Sequence, residues 1–157
     1  MTFLIVLGLY FLSLFALFLV SRKHMGMPAL GLTAGAVLAR LWTDSLTPIV
    51  ADAGLVLDKP PLHSVVAVAL TLLPAVIVMA RSDRAHSLMH QLYGSIVFAA
   101  LAVMLTYGAF ANAVILDDTS RSIVLQLLPY DAAIITACIV LALIDIVYKR
   151  SKPKLKK

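Results

Sequence analysis

Apolar runs of bilayer length dominate this sequence. A bilayer core is crossed by roughly 20 predominantly apolar residues in a helix. Five runs approach or reach that length, and charged or helix-breaking residues separate them. They are Thr2–Val20, Pro28–Trp42, Leu62–Ala80, Leu92–Leu116 and Ala132–Tyr148. The pattern predicts an all-α, polytopic helical bundle with five transmembrane helices, which form a single transmembrane domain over residues 1–148.

The composition excludes the other broad classes. Hydrophobic residues make up 62% of the 157 residues and charged residues 13%, against about 45–50% and 25% in soluble domains. A water-soluble domain of this size leaves too much surface exposed to hide such an excess. Cys138, the single cysteine, rules out an intramolecular disulfide framework. We therefore expect a membrane protein.

The distribution of basic residues predicts the orientation. Lys and Arg favour the cytoplasmic side of membrane proteins. If the N-terminus lies outside, the inner segments hold Arg22, Lys23, Arg81, Arg84 and the whole basic tail, whereas the outer ones hold Lys59 and Arg121. This asymmetry predicts an N-out/C-in topology, and we interpret the protein as a multi-pass protein of the bacterial inner (cytoplasmic) membrane.

The basic tail, residues 149–157, follows the last span directly. Its cations carry no interleaved aromatic residues, so binding to anionic lipid headgroups is favoured over binding to nucleic acid. The residues of this predicted membrane-surface segment are Lys149, Arg150, Lys152, Lys154, Lys156 and Lys157.

Both outer connections carry apolar residues at helical spacing. Leu46–Leu57 and Ser120–Leu128 are each too short to span a bilayer, so we predict two short interfacial helices on the outer surface. Thr47 and Pro48 resemble a cap and first-turn pair, and Pro129 ends the second helix. Ordinary connecting helices are favoured over a binding role.

A few polar residues lie at a similar depth near the outer ends of the spans, where ionisable groups are costly and often functional. They predict a polar pocket formed by Arg40, Asp44, His63, Asn112 and Asp131, with Arg40 paired to Asp131. The alternative, which is favoured, is that Arg40 reaches the surface or pairs with Asp44, while Asp131 serves the start of its own helix.

Asp145, deeper in the last span, is expected to pair with Lys149 at i+4, and a proton-relay role is the minor alternative.

Asp83, His86 and His90 lie three and four residues apart, on one face where the fourth span begins. Imidazoles at i and i+4 can share a transition metal, and the carboxylate one turn earlier supplies a third ligand. Because neither Cys nor Glu lies near, a metal or haem site is the less favoured reading, and no cofactor is predicted.

Gly31, Gly35 and Ala39 form a small-residue face on the second span, the pattern of close helix packing within a chain or in a homo-oligomer. Pro74 is expected to kink the third span.

The sequence holds no nucleophile–base arrangement, phosphate loop or paired-carboxylate site, so we do not expect an enzyme.

The layout has a basic turn, Ser21-Arg22-Lys23-His24-Met25-Gly26, after the first span, an outer amphipathic stretch over Ala39–Pro61, and Gln91-Leu92-Tyr93-Gly94 at the start of the fourth span. Over about residues 1–125 it resembles the colicin V production protein family of small bacterial inner-membrane proteins. The fifth span has no counterpart in a four-span member. The resemblance implies a role in envelope maintenance or in export of a small protein or toxic solute, and it carries over no catalytic residue.

Three functions follow, in order of preference. The first is a non-enzymatic inner-membrane protein in transport, export or envelope homeostasis, acting as an oligomer. The second is an accessory subunit of a larger membrane complex, buried against other membrane subunits. The third is a haem- or metal-binding electron carrier that uses His86 and His90.

Overall fold

The chain folds into a bundle of α-helices. The computed structural model describes residues 2–54, 61–82, 88–113, 126 and 128–151. The helices are α1 (Thr2–Ser21), α2 (Gly26–Asp52), α3 (Leu62–Arg81), α4 (Leu88–Ala113) and α5 (Asp131–Ser151), and a 3-10 turn (Leu128–Tyr130) precedes α5. The described residues contain no β-strand, so the predicted all-α class is confirmed for this part of the chain.

Within the described residues, three helical segments are long and apolar enough to cross a membrane: Phe3–Ser21, Leu62–Arg81 and Gln91–Ala111. They coincide with the first, third and fourth of the predicted spans. This agreement is expected, because a long apolar run can bury its backbone polar groups in a bilayer only by forming a helix. The chain is therefore consistent with a membrane protein.

Helix α2 corrects one prediction. It continues without interruption from Gly26 to Asp52 and contains Pro48 in its interior, so Leu46–Asp52 is the end of α2 and not the start of a separate interfacial helix. Pro48 removes only one backbone N–H from the helix. The hydroxyl of Thr47 donates to the carbonyl of Thr43 at 2.6 Å, inside the helix, and does not cap a new one. The second predicted interfacial helix, Ser120–Leu128, lies outside the described residues except for Gln126 and Leu128.

Close backbone contact joins α2 to α3. Gly31, Gly35 and Ala39 lie on the buried face of α2. A β-carbon built on Gly31 would lie 2.9 Å from Cα of Ala75, and one built on Gly35 would collide with the carbonyl of Thr71. Without side-chain bulk the two backbones approach closely, and dispersion between them stabilises the pair. Pro74 lies inside α3, which remains one helix.

Aromatic side chains join α1 to α4. Phe18 and Phe98 stack with ring centroids 4.6 Å apart, and Phe3 meets Tyr107 edge to face at 6.3 Å. Early residues of α1 thus meet late residues of α4, so the two helices run antiparallel. The other contacts of α4 are with α2, α3 and α5, which makes α4 the central helix of the bundle.

Candidate functional site

A polar cleft opens between α2, α3, α4 and α5 at one end of the bundle. Its volume is about 550 Å³, within the usual range for small-molecule sites. Small residues of α2, among them Ala36 and Ala39, leave this space between the helices. The polar residues that line it are Arg40, Thr43, Asp44, His63, Thr71, Thr106, Tyr107 and Asp131.

The structure brings together four of the five residues of the predicted polar pocket. Arg40 and Asp44 come from the second half of α2, His63 from the start of α3, and Asp131 from the start of α5. These positions share one end of the bundle because α2 runs towards it and α3 and α5 begin there. Asn112 lies near the end of α4, but its side chain is outside the described part.

The charged residues of the cleft pair differently from the prediction. His63 Nε2 lies 3.0 Å from Asp44 Oδ1. In the described part of the chain, Arg40 forms no ion pair with Asp131 or with Asp44, so neither of the two ion pairs considered for Arg40 is present. The alternative that remains for Arg40 is that its side chain reaches the surface. Asp44 instead contacts the neighbouring helix, since an imidazole from α3 is closer to it than the guanidinium one turn away. Arg40 is exposed and Asp131 is half-buried.

Three threonines give the cleft hydrogen-bond acceptors. The hydroxyls of Thr43, Thr71 and Thr106 are buried, and each donates to the carbonyl four residues earlier in its own helix, at 2.5, 2.8 and 2.7 Å. Each hydroxyl hydrogen is thereby used, and the oxygens of Thr43 and Thr71 retain lone pairs that can accept. The oxygen of Thr106 also lies 3.4 Å from the hydroxyl of Tyr10 in α1. None of the three threonines is among the predicted site residues. The spacing of Thr43 from Ala36 and Ala39, seven and four residues, places it on the same face and would have indicated it.

The opposite end of the bundle holds a second polar group. Asp145 is buried in α5 and its Oδ2 accepts a 2.9 Å hydrogen bond from the backbone N–H of Gly26. His24 Nδ1 lies 3.9 Å from Asp145 Oδ1. Lys23 Nζ donates to the carbonyl of Ser82 at 2.5 Å, and Gln91 Nε2 donates to the carbonyl of Leu19. These bonds fix the turn between α1 and α2 against α3, α4 and α5.

Several predicted sites fall outside the described residues. They include Asp83 and His86, the side chains of His90 and Lys149, and the remainder of the basic tail. Within the described ranges no three His, Cys, Asp or Glu side chains converge to hold a metal ion. Cys138 is buried and is not part of a disulfide.

The chain matches no protein-family model, and neither a curated protein nor a solved structure matches it.

Proposed function

We propose that this chain is a small, non-enzymatic, multi-pass protein of the bacterial inner membrane that acts in transport or export of a small polar solute, or in envelope homeostasis. In this proposal all five helices span the membrane with the N-terminus outside and the basic tail inside, and the protein works as an oligomer. The tail then contacts anionic lipid headgroups.

One observation carries the proposal. Helices that are apolar along most of their length enclose, at one end, a cleft of about 550 Å³ lined by Arg40, Asp44, His63 and Asp131. Ionisable groups between membrane helices are expensive and are kept for substrate or ion pathways. The N-out orientation would open this cleft to the outer face. The proposed role also agrees with the resemblance of the layout to the colicin V production protein family.

Flux through proteoliposomes tests this function. Liposomes holding the purified protein are loaded separately with radiolabelled phosphoethanolamine, glycine or inorganic phosphate. We expect at least one probe to leave several-fold faster than from protein-free liposomes, and the Arg40→Gln variant to lose most of that excess. Arg81→Gln, an exposed arginine at the other end of α3, is the matched control and should leave the flux unchanged. Equal efflux with and without protein, for all three probes, would rule out transport of small polar solutes.

A second candidate function is that of an accessory subunit in a larger membrane complex. The observation in its favour is the broad apolar face of α1, on which Ile5, Leu9 and Val20 are 64%, 67% and 82% exposed. Lipid would cover this face equally well, so the composition of the purified protein decides between the two functions. An accessory subunit should copurify with other chains in fixed stoichiometry in a mild detergent, whereas a self-sufficient protein elutes without them.

A further inference from the structure

The two charged groups of the cleft that have no ion-pair partner among the described residues are of opposite sign. Asp44 lies 3.0 Å from His63 at an exposed position, and this contact is an ion pair only when the imidazole is protonated. Arg40 and Asp131 line the same space, yet in the described part of the chain neither forms an ion pair. Their charges have opposite sign and come from different helices, α2 and α5.

A ligand with charge of one sign would pair with only one of these two groups. An anion at Arg40 would leave the carboxylate of Asp131 without a partner, and a cation at Asp131 would leave the guanidinium without one. Unpaired charges among membrane helices are costly. A ligand that carries both charges satisfies both groups at once.

The other lining atoms suit the same ligand. A guanidinium offers a planar set of N–H donors that matches a carboxylate or phosphate. The oxygens of Thr43 and Thr71 have used their hydrogens within their own helices and therefore accept, as the N–H groups of an ammonium require. The volume of about 550 Å³ accommodates a small molecule.

We propose that the cleft binds a small zwitterion, with its carboxylate or phosphate at Arg40 and its primary ammonium at Asp131. This inference rests on the proposed function, because it names the class of solute for the same cleft. The zwitterion has two possible sources, a soluble molecule or the headgroup of a phosphatidylethanolamine lipid, and both present the same pair of charges.

Calorimetric titration of the purified protein in phosphatidylglycerol nanodiscs tests the chemistry. The probe is phosphoethanolamine, and inorganic phosphate and ethylamine are the analogues that carry charge of one sign only. We expect phosphoethanolamine to bind at least tenfold more tightly than either analogue. Arg40→Gln and Asp131→Asn should each weaken its binding tenfold or more, whereas Arg81→Gln leaves it unchanged. The comparison of the three probes on the unaltered protein holds even if a variant fails to fold.

The source is decided by repeating the titration in phosphatidylethanolamine nanodiscs. A lipid headgroup in the cleft would compete and weaken phosphoethanolamine binding several-fold, whereas a soluble ligand would bind equally in both nanodiscs. Either result supports the zwitterion. Binding of phosphate or ethylamine as tight as that of phosphoethanolamine, or no binding of any probe, overturns it. Efflux of phosphate alone in the liposome assay would leave the transport function standing and contradict only the zwitterion.

Discussion

The carboxylate of Asp145 in α5 accepts a hydrogen bond from the first backbone N–H of α2, that of Gly26, at 2.9 Å. The residue before Gly26, Met25, offers no side-chain cap. Helix N-termini carry unpaired N–H groups and a partial positive charge. A buried carboxylate from the last helix therefore supplies the cap that the local sequence lacks.

Removing this cap should destabilise the bundle. We expect Asp145→Leu to lower the free energy of unfolding by about 1–3 kcal/mol, the usual cost of a buried polar group that loses its partner. Asp145→Asn keeps an acceptor oxygen and should cost clearly less. Thermal unfolding followed by circular dichroism in dodecyl maltoside measures both, with the exposed Asp52→Leu as control. Equal losses in the leucine and asparagine variants would contradict the capping role.

Two Gly→Ala substitutions should change the stability of the protein in opposite directions. Alanine is favoured over glycine in a helix by about 1 kcal/mol. A β-carbon at Gly8 meets nothing within 4 Å, so Gly8→Ala should leave stability unchanged or raise it. A β-carbon at Gly35 collides with the backbone of Thr71, so Gly35→Ala should cost roughly 1–3 kcal/mol. Melting temperatures of the two variants in one detergent provide the check, and a stabilising Gly35→Ala would refute the close contact of α2 with α3.

Truncation of Phe18, which stacks on Phe98 between α1 and α4, should also lower the free energy of unfolding. Phe18 is fully buried against Phe98, and Phe18→Ala leaves a cavity. In a soluble core such a change costs about 3–5 kcal/mol. We expect about 2 kcal/mol here, because the unfolded side chain faces lipid or detergent rather than water and only the packing is lost. Leu9→Ala, at a position 67% exposed on the same helix, is the matched control and should change little.

The proposed N-out/C-in orientation can be tested by cysteine labelling. With Cys138 replaced by serine, single cysteines are placed at Asp52, near the end of α2, and at Lys154 in the basic tail. A membrane-impermeant maleimide added to intact cells should label the cysteine at position 52 at once and the one at position 154 only after permeabilisation. The reverse pattern would invert the topology.

The sequence predicts helix boundaries well where hydropathy governs them. The predicted runs Thr2–Val20 and Leu62–Ala80 end one residue before α1 and α3 do, because desolvation of the backbone leaves an apolar run in a membrane no alternative to a helix. Position along the predicted spans also indicates which polar residues line one cleft, since Arg40, His63 and Asp131 all lie close to predicted span ends on the same predicted side.

What the sequence leaves open depends on contacts between distant segments. Thr47-Pro48 has the local chemistry of a helix start, and nothing in its neighbours reveals that α2 continues through it. The bond between Gly26 and Asp145 joins residues 119 positions apart. The i+4 spacing indicates Lys149 as a partner of Asp145, but it carries no information about a backbone donor from another helix.

The continuity of α2 has a mechanical consequence. One rigid segment of about 21 Å, by the rise of 1.5 Å per residue, connects Gly26 at the Asp145 contact with Arg40 in the cleft. Gly31 and Gly35 lie between them and press against α3, so α2 has a fixed contact between its two polar regions. We expect a displacement of Arg40 to pivot the helix about this contact and so to alter the hydrogen bond at Asp145.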